Sequence, residues 1–389
     1  MAENRAGRIL FLAQTPPPHH GQSAIAARMR AVFEADAGRI VDKRWRGGAQ
    51  SNEDVGRRSL SKLLAFLALL LDLSRLWLSG RRYEIAYLGL APWAHTALRD
   101  ALLAFVAKRL ATRTWVHVHG DGLEDLVTAT GLRGSLARLG LSGTELITIT
   151  DGVARSARRL GLFSRVLPLA NMALDPGAPE VSRGLPLKVA FLGNLDARKG
   201  VLDFVDCVAE LGANRLDVEA VIIGGPTAQL SVEDVQTRAA ERGLPASRLT
   251  VTGWVSETRK TTLLADADVF LYLSQHDLAP VALIEAMAHG CAPIVLDIGG
   301  LAEMVGPKLR DTVLPVGDRN AIRAAATSRI RGYLDHPDQL VWDKARARER
   351  YLATFSPDIF RASVLGHLAV DNRLAAAPAT VSHLAGLSP

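Results

Sequence analysis

The feature that most narrows the fold of this chain is a pattern that occurs once, stops and starts again. Short apolar runs at 187–192 (LKVAFL), 218–223, 248–252 (RLTVT), 268–273 (DVFLYL) and 292–296 (APIVL) alternate with helical segments such as 231–242. Near-continuous apolar strands separated by helix-length connections are what parallel βαβ units require, because a strand covered by helices on both faces has no polar side. The first half carries the same rhythm, with runs at 8–13 (RILFLA), 84–90 (EIAYLGL), 114–118 (TWVHV) and 145–149 (ELITI), and a helix from Ala24 to about Glu34 after the loop QTPPPHHGQS. Between the halves lies DPGAPEVSRGLP (175–186), whose Pro, Gly and Ser content marks a linker. The expected fold class is therefore α/β, with two doubly wound Rossmann-like domains at 1–175 and 187–356 facing across a cleft. A helix at 357–370 is expected to cross back to the first domain, and 371–389 to form a frayed Ala/Pro/Ser-rich tail.

Bulk properties fit a chain of this kind. At 389 residues it exceeds what one hydrophobic core supports, and 48% apolar with 22% charged residues is ordinary for a globular protein. Cys207 and Cys291 have neither a C-x-x-C nor a metal-ligand spacing, so a disulfide framework and a zinc site are not expected, and a reducing cytoplasm fits best. The N-terminal MAENRAGRILFLAQTPPP reads as a first strand, not a signal peptide. The most apolar stretch, Leu60–Leu78, is interrupted by Lys62, Asp72 and Arg75, too soon for a bilayer crossing. It is expected to be a buried helix; docking at a membrane interface, helped by Arg57, Arg58, Arg81 and Arg82, is the sharper alternative. The net charge of +6 is uneven, since residues 1–120 hold 18 Lys and Arg against 9 Asp and Glu. A basic first domain suits phosphates or an anionic membrane surface. Nucleic acid is not expected as a partner, because no recognition helix, zinc-finger spacing or aromatic-studded basic stripe accompanies the charge.

Chemistry concentrates in Ser274–Pro293, SQHDLAPVALIEAMAHGCAP. Pro280 suits the first turn of a helix and Gly290 its C-terminal end, which predicts a helix over 280–289. The amides near Ala279, Pro280, Val281 and Ala282 then form an open helix start, favourable for a diphosphate. Asp277 precedes the helix and Glu285 lies inside it, about 8 Å further along the axis at ~1.5 Å per residue. Two carboxylates so spaced can hold two different sets of hydroxyls.

With its D-x7-E spacing followed by AMAHGCAPI, this segment resembles the E-x7-E signature of glycosyltransferase family 4, of GT-B fold. FLGNLDARKG (191–200) is similar to that family's G-R-L-x-x-x-K-G loop, IGGLAE (298–303) to its G-G-x-x-E segment and PPPHHGQS (16–23) to its N-terminal glycine loop. The resemblance implies a retaining transferase, with Lys199 on the donor diphosphate, Glu285 on the ribose, Asp277 on the transferred sugar, Glu303 on the donor side and His119 on sugar and phosphate. It places Gly193 in the first C-terminal loop and Gly21 where backbone approaches the diphosphate from the opposite domain. Two departures stand out: Asn194 replaces the family's arginine after Gly193, with Arg198 a candidate to supply the missing charge, and Asp277 is one methylene shorter than the usual glutamate. The implied partners are a nucleotide-sugar donor, as substrate, and a glycan or lipid-linked acceptor; no cofactor and no metal are implied.

Each residue also has a plainer reading: Lys199 as a solvated lysine, Glu285 as a surface glutamate, Glu303 as a helix-start glutamate, Gly21 as a turn glycine, His119 as a satisfied core histidine. Asp266 and Asp268 form a D-x-D but read as strand-edge residues, and His117 and His119 are taken to face opposite sides of their strand and so not to share a metal. No G-x-G-x-x-G follows an opening strand and no P-loop is present. An inverting GT-B enzyme, a nucleotide-sugar epimerase and a catalytically weak nucleotide-sugar-binding scaffold remain as alternatives.

Overall fold

The computed structural model describes residues 7–17, 21–46, 59–92, 96–178, 184–214 and 216–375. The basic residues Arg57 and Arg58, part of the loop before Gly21, part of the 175–186 linker and residues 376–389 of the expected tail lie outside the described residues.

The N-terminal domain runs β1 (Arg8–Leu12), α1 (Gly21–Ala31), β2 (Ile40–Lys43), α2 (Leu60–Leu78), β3 (Tyr83–Leu90), α3 (Thr96–Leu110), β4 (Ala111–Val118), α4 (Leu123–Thr128), α5 (Gly131–Leu141), β5 (Glu145–Thr148), α6 (Asp151–Leu160) and β6 (Arg165–Pro168). Its strands form one parallel sheet in the order β2-β1-β3-β4-β5-β6. The C-terminal domain follows with β7 (Leu187–Leu192), α7 (Val201–Ala213), β8 (Val218–Ile223), α8 (Val232–Glu241), β9 (Leu249–Val251), α9 (Glu257–Ala265), β10 (Val269–Tyr272), α10 (Val281–Ala288), β11 (Ala292–Leu296), α11 (Leu301–Val305), β12 (Val313–Leu314), α12 (Arg319–Asp335) and α13 (Pro337–Thr354). Its sheet is also parallel, ordered β12-β11-β10-β7-β8-β9.

In each sheet the connection reverses direction beside the first strand, between β1 and β3 and between β7 and β10. The loops leaving such a pair diverge and open a crevice at the strands' carboxyl ends, the place where doubly wound sheets bind ligands. The loops before Gly21 and after Gly193 and Ser274 all belong to these two reversal points.

A last helix, α14 (Pro357–Ala375), inserts Phe360, Val364 and Leu368 among Ile9, Phe11, Ile25 and Met29 of the N-terminal domain. The opposite face of that sheet is covered by α2, α3, α5 and α6. Here one expectation fails. Only Leu69 and Leu73 of α2 are buried, whereas Leu60, Leu63, Leu64, Leu67 and Leu71 are exposed. The helix packs beside α3, and among the described residues none covers its second apolar face. Among the described residues no helix is long and apolar enough to cross a membrane.

Candidate functional site

Lys199 ends a short 3₁₀ turn, Ala197–Lys199, between β7 and α7. The next residue, Gly200, has φ +82°, and a Cβ there would lie 2.5 Å from the Leu273 carbonyl oxygen. Only glycine lets this turn press against the end of β10. That approach brings the Lys199 ammonium to 2.8 and 3.0 Å from the two carboxylate oxygens of Asp277 and 3.1 Å from the Tyr272 hydroxyl. The hydroxyls of Tyr272 and Ser274 donate to Asp277 Oδ2 at 2.5 and 2.9 Å. Burial by itself would raise the Asp277 carboxyl, but the Lys199 charge and the hydrogen bonds from Lys199 and Tyr272 outweigh it and hold the group below its ordinary value. The two residues assigned to diphosphate and sugar thus meet as an ion pair at the reversal point.

The second carboxylate lies inside α10. Glu285 accepts from Lys260 of α9 at 2.7 Å. Burial raises its pKa, with Lys260 and, across the cleft, Arg28 of α1 offsetting part of that cost. Arg28 itself is pulled down by burial and held up by Glu285 and Glu257. Lys260 and Arg28 carry no motif, and their separation in sequence from Glu285 gives no local signal for the pairing.

Between these carboxylates α10 begins at Val281, with Pro280 as an N-cap that makes no side-chain cap. The expected helix start moves by one residue, because Pro280 adopts extended ψ, and proline brings no N–H of its own to an anion. Among the described residues no side chain caps the amides of Val281 and Ala282, which are open to an external acceptor. Ala279 is fixed by its carbonyl, which accepts from Asn171 Nδ2 at 2.9 Å. Opposite stands the start of α1: a Cβ on Gly21 would lie 3.8 Å from Val281 Cγ2. Two positive helix ends from two domains therefore face one gap.

Other assigned residues sit differently. Arg198 pairs its guanidinium with Asp196, at 2.7 and 3.2 Å, and is also within reach of the charge of Asp277. Asn194 is exposed in the turn after Gly193. Glu303 reaches the other domain, accepting from the Asp151 and Gly152 amides at 2.5 and 3.1 Å and so capping α6 across the interface. His119 is brought to the cleft at the end of β4, but its relation to His117 corrects the expectation of opposite faces. Their rings lie 4.1 Å apart, since side chains two apart in a strand share a face. His117 is buried, bonded through Nδ1 to the Tyr87 hydroxyl at 2.9 Å, and burial followed by the His119 charge pushes its pKa well down. Asp121 was not singled out by sequence. Burial and the charge of Asp277 raise its carboxyl, with His276 opposing, so this N-terminal loop faces the Lys199–Asp277 pair. Asp266 and Asp268 border β10, tied to Lys188 and Lys344 respectively.

Residues 186–331 match the family model of glycosyl transferases group 1. Among curated proteins, a GDP-mannose:cellobiosyl-diphosphopolyprenol alpha-mannosyltransferase of Xanthomonas campestris is 23% identical over 195 residues, covering 48% of this chain and 50% of that one. A phosphatidyl-myo-inositol mannosyltransferase of Mycolicibacterium smegmatis is 28% identical over 212 residues, 54% of this chain and 48% of that one. The chain spans about half the length of these relatives. Among solved structures, sucrose-phosphate synthase from Thermosynechococcus elongatus superposes with a TM-score of 0.71 at 18% identity, over 95% of this chain and 99% of that one. The lipopolysaccharide outer core galactosyltransferase WaaB does so at 0.66 and 16%, over 94% and 99%. Anabaena HepE, solved with UDP, gives 0.63 and 15%, over 93% and 100%. The chain therefore has the GT-B fold of these solved structures, and most of its C-terminal domain is similar to the glycosyl transferases group 1 model.

Proposed function

We propose that this protein is a retaining, metal-independent glycosyltransferase that moves a hexose from a UDP- or GDP-sugar to a glycan or lipid-linked acceptor in bacterial envelope or exopolysaccharide biosynthesis. The observation that carries the reading is the convergence of Lys199, the open start of α10 and the Gly21 start of α1 on one gap. A cation and two helix ends are the preorganised charge that a departing diphosphate needs. The names of the two mannosyltransferase relatives, both of which describe lipid acceptors, support the acceptor class.

In this reading Lys199 and the Val281 and Ala282 amides hold the diphosphate, Glu285 accepts from the ribose hydroxyls, Asp277 from the sugar hydroxyls, and His119 closes on the sugar from the N-terminal side. The bond from the anomeric carbon to the diphosphate oxygen breaks as the acceptor oxygen bonds the same face. The acceptor's proton passes to the departing phosphate oxygen, whose new charge Lys199 and the amides stabilise. Water is excluded by the close approach of the two domains. The setting is cytoplasmic, with the acceptor presented at the inner membrane face.

The test is a panel of UDP-, GDP- and ADP-sugars with a polyprenyl-diphosphate-linked acceptor, followed by the anomeric configuration of the product by NMR. Transfer with retention from one nucleotide class is the expected result. Inversion, epimerisation of the donor without transfer, or donor binding without turnover on any acceptor would each replace the reading with one of its competitors.

A further inference from the structure

The helices α2, α3 and α5 lie side by side over one face of the N-terminal sheet. The packing of α3 on α5 is close: a Cβ on Gly140 would lie 2.2 Å from the Ala101 carbonyl oxygen, so glycine is what lets the two helices approach. Its outer surface is unusual for a free protein face. On α2, Leu60, Leu64, Leu67, Leu71 and Leu78 recur at helical spacing and all point outward, with Leu67 the least exposed at 47% and Leu78 the most at 75%. Trp77 continues this stripe, and Leu136 and Leu139 of α5 extend the apolar surface across the layer. Such a run of large exposed apolar side chains marks an interaction surface.

Charge selects the partner. Within 59–82, 96–110 and 131–141 there are nine Lys and Arg against two Asp. Asp100 is buried and paired with Arg99, and Asp72 is mostly covered and paired with Arg46 and Arg75. No exposed carboxylate therefore stands among these helices, whereas Arg75, Arg81, Arg109 and Arg133 are exposed. Apolar side chains flanked by arginines alone match acyl chains beneath anionic headgroups; a protein partner would need its own compensating acidic face. The 19 residues of α2 give it a length of about 28 Å at ~1.5 Å per residue, enough to lie in the interface as a substantial anchor.

We infer that the α2–α3–α5 face docks on an anionic bilayer surface, with the leucines of α2 at the acyl boundary and the arginines among the headgroups. The helices of this layer run antiparallel to the strands, so the cleft at the strands' carboxyl ends would open alongside the membrane. This deepens the reading of a lipid-linked acceptor, but its test needs no turnover.

The test is flotation of the full chain, without donor, on vesicles of phosphatidylcholine with and without phosphatidylglycerol, at low and high salt. Binding should require the anionic lipid and fall with salt. Leu67→Glu with Leu71→Glu should lower partition on the order of a hundredfold or more, and each of Arg75→Glu and Arg81→Glu at least about fivefold. Melting temperature and soluble donor hydrolysis should be unchanged in all these variants, because the residues are solvent-exposed and remote from the cleft. Three results would overturn the inference: no vesicle binding, binding indifferent to lipid charge and salt, or a concentration-dependent dimer in sedimentation that the leucine variant dissolves while neither protein binds vesicles. Loss of transfer with vesicle binding intact would count against the glycosyltransferase reading alone.

Discussion

Replacing Asp277 by asparagine should separate two properties that usually fall together in a damaged site. The three hydrogens of the Lys199 ammonium are taken up by both Asp277 oxygens and the Tyr272 hydroxyl. A diphosphate must compete for them. Asp277→Asn keeps the shape and an acceptor for Tyr272 and Ser274 but removes the charge. With both partners only about a fifth exposed, the lost pairing should cost on the order of 1–3 kcal/mol of stability. For a domain of this size that is a fall of roughly 2–4 °C in melting temperature per kcal/mol. The freed ammonium should then bind free nucleoside diphosphate about tenfold more tightly, ~1.4 kcal/mol, while transfer falls on the order of a hundredfold because the sugar loses its carboxylate. Titration calorimetry with UDP and GDP, beside steady-state transfer, reads both. Saturating nucleotide should also restore more melting temperature to the variant than to the wild type. Weaker nucleotide binding in step with lost turnover would refute the reasoning, since Lys199 would then not be the group that Asp277 withholds from the diphosphate. The pH sign follows from the lowered pKa of Asp277. Its stabilisation is complete above the unfolded carboxylate value of about 3.9 and is lost below it, so wild-type and variant stabilities should converge as pH falls through that range.

Three further outcomes are expected. Gly21→Ala places a methyl group against Val281 at an unstrained distance, so stability should hold within about 1 kcal/mol while nucleotide affinity falls about tenfold; equal affinity by calorimetry would remove Gly21 from the site. His117, buried with a depressed pKa, makes the folded state resist a proton that the unfolded chain accepts, so wild type should lose up to about 1.4 kcal/mol per pH unit below pH ~6.5 relative to His117→Gln, by urea unfolding. Glu303→Gln should cost about 1 kcal/mol through the lost charged cap on α6 and leave nucleotide-sugar affinity unchanged; a tenfold affinity loss at constant stability would return Glu303 to the donor side.

What the sequence made legible follows from where each signal is generated. Buried parallel strands such as β7, β10 and β11 read as unbroken apolar runs because both faces are covered. The edge strands β2 (IVDK), β6 (RVLP) and β12 (VL) went unseen, being short, more polar or more exposed. The loops at the reversal points were found through glycine, proline and acidic spacing, which act locally. Partners were not: Lys199 and Asp277 are 78 residues apart, and Glu303 and Asp151 152 apart, so the ion pair and the interdomain cap arise only from tertiary folding. The apolar character of α2 was plain in the sequence, but whether another layer covers a helix is a property of topology. His117 and His119 share a face, against expectation, because side chains two apart in a strand point the same way.

The most direct measurement is a crystal structure with the nucleoside diphosphate bound. The account predicts phosphate oxygens within hydrogen-bond distance of Lys199 Nζ and of the Val281 or Ala282 amide, with the ribose on Glu285 and the Lys199–Asp277 contact loosened. A diphosphate bound elsewhere, with that ion pair unchanged, would contradict it.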